Sequence, residues 1–134
     1  MDKEIELSLV DLVDRRQKTR LRTLLESKTG RAKFIDTLYH HPWFDERFVS
    51  EVRTSDSSAF YCDSVYADLV GRGAPDHCYV IRGAYRGGGD GSVMPLRAAI
   101  DDFCDQGEAL VLVCIPGRLA YWEGESGPGA IIQR

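Results

Sequence analysis

Lysine is missing from the whole second half of the chain. The four lysines, Lys3, Lys18, Lys28 and Lys33, all lie near its start. A Walker A loop needs Gly-Lys-Ser/Thr after a strand, so this class of nucleotide-binding protein is excluded. The same absence excludes a Schiff-base lysine in the predicted sheet region and the usual lysine-bearing core of metal-dependent nucleases.

Several other catalytic and metal-binding motifs are also missing. The chain has no Gly-x-Ser-x-Gly, no Cys-x-x-Cys and no His-Glu-x-x-His. Serine-hydrolase, structural-zinc and zincin interpretations therefore have no support from motifs. We predict no cofactor, no metal and no catalytic residue, and we favour a non-enzymatic protein without excluding an enzyme.

Long apolar runs are absent as well. The longest run covers residues 109–116, far below the roughly 20 residues that a membrane helix needs. The first residues are acidic and contain no apolar segment typical of a signal peptide. We therefore expect a cytoplasmic protein with no membrane association, in which the four cysteines stay reduced.

The composition is that of an ordinary globular protein, and we expect one domain over residues 1–134. Hydrophobic residues make up 43% of the chain and charged residues 28%. Apolar spacings of three and four predict helix over 4–28, with an all-polar stretch at 14–20 where the helix is either solvated or broken. They also predict a helix over 31–41 and a helical turn within 43–53.

Residues 56–71 have aromatic content that also suits a strand. Tyr61, Val65 and Leu69 recur every four positions, however, so we favour a helix.

The second half of the chain predicts strands at 78–81, 109–115, 119–122 and 130–132. A helix beginning near Pro95 separates the first two. Strand, helix and strand in this order predict a parallel pair with a right-handed crossover. The expected fold is of the α/β type, with an α+β-like arrangement. Its helical N-terminal half, residues 1–53, packs on a small mixed sheet with one βαβ crossover followed by antiparallel hairpins, within residues 56–134.

Charge is unevenly distributed along the chain. Residues 15–33 carry +7, whereas residues 1–14 sum to −4 and residues 34–134 to −7. A helical cluster of this kind suits an acidic protein surface or a phosphate backbone. The alternative without a function is a solvated helix face, or a helix face whose charge is paired with the chain's own acidic half. The candidate interaction residues are Arg15, Arg16, Arg20 and Arg22, with Trp43 and Trp122 as aromatic anchors.

A second candidate site is the glycine-rich loop 82–92. If it leaves a parallel strand and enters a helix, it lies where α/β sheets bind ligands. Arg118 follows the other predicted parallel strand, so it would join the loop in clamping a phosphate or carboxylate. The candidate anion-binding residues are Arg86, Gly88, Gly89 and Arg118. The Asp90 carboxylate would repel an anion. The alternative interpretation of residues 82–92 is a flexible loop.

These features favour a non-enzymatic protein-interaction module, a small regulatory, adaptor or inhibitor-type protein. One alternative is binding or processing of a small anion, such as a nucleotide or a carboxylate metabolite, at the glycine loop. The other is nucleic-acid binding through residues 15–33, although a pI near 5.3 disfavours a general nucleic-acid binder. The oligomeric state is not assigned.

Overall fold

The computed structural model describes residues 1–53, 60–83, 88–125 and 128–134. Within these ranges the chain forms five α-helices, and short 3₁₀ turns accompany them at 8–11, 15–17 and 46–48. The helices are α1 (Lys3–Leu7), α2 (Lys18–Leu24), α3 (Lys28–Thr37), α4 (Tyr61–Gly71) and α5 (Leu96–Phe103). None of the helices in these ranges has the length and hydropathy that crossing a bilayer requires.

In the described part of the chain the sheet has six strands in the order β1-β6-β5-β4-β2-β3, and every neighbouring pair is antiparallel. The α+β arrangement is therefore confirmed. The strands are β1 (Val49–Glu51), β2 (His77–Arg82), β3 (Val93–Pro95), β4 (Leu110–Ile115), β5 (Leu119–Glu123) and β6 (Ala130–Gln133).

The predicted parallel pair is wrong. β2 and β4 are neighbours but run antiparallel, with Tyr79 opposite Val113 and Arg82 opposite Leu110. The reason is β3, which the sequence did not reveal and which reverses the chain before α5 begins. Since β3 and β4 both run antiparallel to β2, they are parallel to each other but separated by β2. The sheet is therefore not mixed at any neighbouring pair.

Helices cover both faces of the sheet. On β2, Tyr79 and Ile81 belong to a core shared with α1, α2 and α3, whereas Cys78 and Val80 belong to a core shared with α4 and α5. This alternation follows from the two-residue period of a strand. The result is three layers, with the N-terminal helices on one side and α4 and α5 on the other.

The predicted helix over 4–28 breaks in its polar stretch. The Asp14 carboxylate accepts a hydrogen bond from the Arg16 backbone N–H at 2.9 Å, which starts a new turn that leads into α2. α2 then crosses α3 closely, because a Cβ on Gly30 would lie 2.2 Å from the Leu24 carbonyl oxygen. The crossing at Gly30 sets the orientation of the basic helices.

Two other expectations have mixed outcomes. The helix favoured over 56–71 is confirmed from Tyr61 onward, while 54–59 lie outside the described residues. The helical turn within 43–53 is correct for 46–48, but the chain then becomes the edge strand β1.

Candidate functional site

The basic surface consists of Arg15, Arg16, Arg20 and Arg22, and all four residues are exposed. Leu21 is fully buried and points α2 towards the core. Successive helical residues are about 100° apart, so Arg20 and Arg22 emerge on opposite flanks of α2. The basic surface is therefore a broad patch rather than a single stripe.

The arginines of the basic surface form few direct contacts with carboxylates. Arg15 and Arg22 form no side-chain hydrogen bond or ion pair with any described residue. Arg16 lies 3.4 Å from Asp14 but stays 90% exposed, so this pair contributes little. The Arg20 guanidinium lies 5.0 Å from the centre of the Trp43 ring, a cation–π contact that leaves its charge intact.

Three less exposed arginines elsewhere in the chain are paired with carboxylates. Arg31 binds Asp90 and Glu6, Arg72 binds Asp68 and Arg82 binds Glu108, all with at least one contact of 2.7 or 2.8 Å. These acids are thus engaged away from the basic surface.

The exposed acids of α4 and α5 lie on the opposite face of the sheet. Asp63 on α4 and Asp101 and Asp102 on α5 are exposed, and the sheet separates these helices from α2 and α3. Arg97 lies among them and pairs with Asp63 and Asp101. The acids of α4 and α5 therefore do not neutralise the basic surface, although Asp14, Asp45 and Glu46 border a cleft together with Arg15 and Arg16.

Trp43 is not a surface anchor, so that interpretation is wrong. Its side chain is fully buried, with its ring centroid 5.4 Å from that of Phe34 and its Nε1 donating to Thr37 Oγ1 at 2.7 Å. The Trp43 carbonyl also accepts from the Asp14 N–H at 2.8 Å. Trp43 instead anchors the segment on which Arg20 rests.

Trp122 is partly exposed, as a surface anchor requires. It lines a cleft of about 330 Å³ at the β1 edge together with Pro42, Phe44, Glu46 and Val49. Its Nε1 donates to the Leu38 carbonyl at 2.9 Å, and its ring centroid is 5.6 Å from that of Phe44. The apolar part of this cleft was not predicted, because Phe44 and Val49 are far from Trp122 in sequence.

The predicted clamp between Arg118 and the glycine loop is wrong. Because β2 and β4 are antiparallel, Arg82 lies beside the start of β4, whereas Arg118 follows its end. Arg118 is exposed at the opposite end of the sheet from the loop. Arg86 lies outside the described residues.

The described part of the glycine loop packs against the protein itself. The Gly88 carbonyl accepts from Arg82 Nη1 at 3.0 Å. Gly89 has φ +98°, and a Cβ there would lie 2.5 Å from the Phe103 ring. The adjacent cleft of about 450 Å³ is lined by Arg31 and Arg82, but both are already paired with carboxylates. Hydrogen bonding to Asp90 raises the pKa of Arg31, so this cation already has its anion.

The cysteines do not form a nucleophilic site. All four are free, and Cys78, Cys104 and Cys114 are buried. Burial raises the pKa of Cys78 to about 12 and raises the pKa values of Cys104 and Cys114 further, which opposes thiolate formation. Among the described residues, no group of three or more His, Cys, Asp or Glu side chains is arranged to hold a metal ion.

Glu123, the last residue of β5, is a buried carboxyl group. Its carboxylate accepts from the Tyr121 hydroxyl at 2.5 Å and from the Asp105 N–H at 2.8 and 3.0 Å. The Tyr61 hydroxyl lies 2.9 Å from that of Tyr121. Burial raises the pKa of Glu123. This chain of hydrogen bonds ties α4 to β5.

Comparison of the chain with protein-family models, with curated proteins and with solved structures finds no match.

Proposed function

We propose that this chain is a non-enzymatic protein-interaction module that binds an acidic surface of its partner through Arg15, Arg16, Arg20 and Arg22. The observation that carries the proposal is that Arg15 and Arg22 are exposed and have no ion-pair partner among the described residues. The basic surface lies on one face, and the exposed acids of α4 and α5 lie on the other.

Uncompensated surface charge has a physical role in association. Complementary charges steer two proteins together and set their orientation, even where they add little affinity. Arg15 and Arg22 have no partner among the described residues, so binding would not require breaking an ion pair of their own.

Arg20 supports the proposal because its side chain is already held in place in the free protein. Its guanidinium rests on Trp43, whose own ring is fixed by full burial and by the hydrogen bond to Thr37. A long side chain that is held in the free protein loses less conformational entropy on binding. Arg20 is therefore the member of the basic surface best prepared to meet a carboxylate.

A cytoplasmic regulatory, adaptor or inhibitor-type role fits such a module. Nucleic acid is the second candidate partner, because cations from α2 also suit phosphates. The chain's net charge of −4 disfavours it, since a general nucleic-acid binder carries a basic excess.

The test is a titration of fluorescent polyglutamate, duplex DNA and single-stranded RNA with the wild-type protein and two charge-reversal variants. In the first variant, Arg16→Glu is combined with Arg20→Glu. In the matched control, Lys28→Glu is combined with Lys33→Glu on the exposed face of α3, which gives the same change in net charge.

We expect the first variant to lose at least about tenfold in polyglutamate affinity, the loss of roughly one charge-assisted contact. The control should lose much less. Equal losses in both variants would mean that only net charge matters and would contradict the proposal. Tighter binding to DNA or RNA than to polyglutamate would favour the nucleic-acid alternative.

A further inference from the structure

A second cationic feature lies at the end of the sheet where β6 ends and β1 begins. A cavity of about 330 Å³ there is bordered by four cations from three separate segments, which are Arg15 and Lys18, Arg47, and Arg134. Two carboxylates, Asp11 and Asp45, also border it. The ionised side chains around the cavity therefore sum to +2.

Arg47 contacts Asp45 and Phe48 beside this cavity, and its side chain is 77% exposed. Its Nε and Nη2 donate to the Asp45 carboxylate at 2.7 to 3.2 Å, and its guanidinium lies 5.3 Å from the centre of the Phe48 ring. Its Nη1 donates to no described residue. A guanidinium that is oriented by a carboxylate and keeps a free edge is a ready donor for a second anion.

The other three cations also retain free donors. Arg15 has no side-chain partner among the described residues. Lys18 Nζ donates to the Val10 carbonyl at 2.7 Å, which uses one of its three N–H groups. Arg134 Nη1 lies 3.7 Å from Asp11 Oδ2, too far for a hydrogen bond.

We propose that this cavity binds phosphate, either free or as a monoester. Cations that come from three chain segments approach from several directions, which suits a tetrahedral oxyanion with several acceptor oxygens better than a planar carboxylate. Arginine donates to phosphate in pairs of hydrogen bonds, and lysine adds a compact charge. The inference goes beyond the proposed function, because it concerns a small ligand and needs no protein partner.

The experiment is a thermal-unfolding titration of the full chain with inorganic phosphate and, separately, with O-phosphoserine. Potassium chloride at matched ionic strength controls for general screening. Ligand that binds only the folded state raises the melting temperature. We expect both phosphate compounds to raise it beyond the chloride control. A larger shift with phosphoserine would identify a monoester as the preferred form, and a larger shift with inorganic phosphate would identify the free ion.

The variant Arg15→Gln should weaken the apparent phosphate affinity about tenfold, as the loss of a charge-assisted contact predicts. Arg22→Gln is the matched control, since Arg22 is equally exposed and unpaired among the described residues but does not border the cavity. Arg134→Gln provides a second cavity variant with the same expected direction.

A melting-temperature shift no larger than that of chloride would overturn the phosphate site, as would full retention of the shift in both cavity variants. The double variant with Arg16→Glu and Arg20→Glu should keep its phosphate shift, because neither residue borders the cavity. Failure of this inference is therefore distinguishable from failure of the proposed protein interaction.

Discussion

Asp90 and Arg31 form a two-pronged ion pair across 59 positions of sequence, with Arg31 Nη1 and Nη2 each 2.7 Å from an Asp90 carboxylate oxygen. The same guanidinium bonds Glu6 at 2.8 and 3.0 Å, and Glu6 accepts from the Tyr79 hydroxyl at 2.6 Å. The end of the glycine loop is thereby fastened to α1, α3 and β2. Arg31 already holds two carboxylates, so it is not a free anion receptor.

The Arg31 pair yields a prediction for stability. The substitution Asp90→Asn should lower the free energy of unfolding by about 1–3 kcal/mol, because it removes one of the two carboxylates that bind a mostly buried guanidinium and leaves Glu6 as its remaining counter-ion. Urea denaturation measures the change. Asp102→Asn is the control, since Asp102 is exposed on α5 and forms no ion pair with a described residue. Equal effects of the two substitutions would show that the pair does not hold the loop.

Gly30 yields a prediction in which the sign of the stability change is decisive. In an unconstrained helix, Gly→Ala is stabilising by up to about 1 kcal/mol. At Gly30 the new Cβ would meet the Leu24 backbone at 2.2 Å, so Gly30→Ala should instead destabilise by roughly 1–3 kcal/mol.

Gly71 is the matched control for Gly30, because it ends α4 and a Cβ there meets nothing within 4 Å. Gly71→Ala should be neutral or stabilising in thermal unfolding. If Gly30→Ala also stabilises the protein, the close crossing of α2 and α3 is incorrect.

Glu123 yields a prediction for pH dependence. Burial raises its pKa in the folded protein above the ordinary value of 4.5, so the folded state holds this proton more tightly than the unfolded chain. The Glu123 contribution is most favourable below pH 4.5 and is lost as the pH rises through the raised pKa.

Glu123→Gln removes this titration. Urea unfolding from acidic to neutral pH should show the stability of wild type falling relative to the variant as the pH rises. The opposite slope, or a difference that does not change with pH, would rule out a raised pKa at this carboxyl group.

The existence of most elements was predictable from local pattern. The continuous apolar run that becomes β4 and the four-residue spacing of Tyr61, Val65 and Leu69 are local signals, and both predicted the correct element type. The strand β3 was not predictable in this way, because three residues ending in Pro95 carry no period of their own. Missing β3 turned an antiparallel pair into a parallel one and placed Arg118 at the wrong end of the sheet.

The candidate sites also differ in whether local sequence or tertiary structure determines them. Exposure of Arg15, Arg16, Arg20 and Arg22 followed from a segment with almost no apolar residues, which has nothing to bury. Burial of Trp43 was not evident from its sequence neighbours, because it depends on the N-terminal helices folding over that segment. The phosphate cavity also depends on tertiary structure, since its cations come from three segments that meet only after folding.

The most direct test of the central claim is affinity capture from a native lysate by the wild-type protein and by the variant combining Arg16→Glu with Arg20→Glu. Capture is carried out at low and at high salt, with mass spectrometry and a nucleic-acid stain on the eluate. The account predicts a stoichiometric protein partner that wild type retains at low salt, that high salt weakens and that the variant does not retain. A partner retained equally by the variant, or an eluate containing nucleic acid without a defined protein, would contradict it.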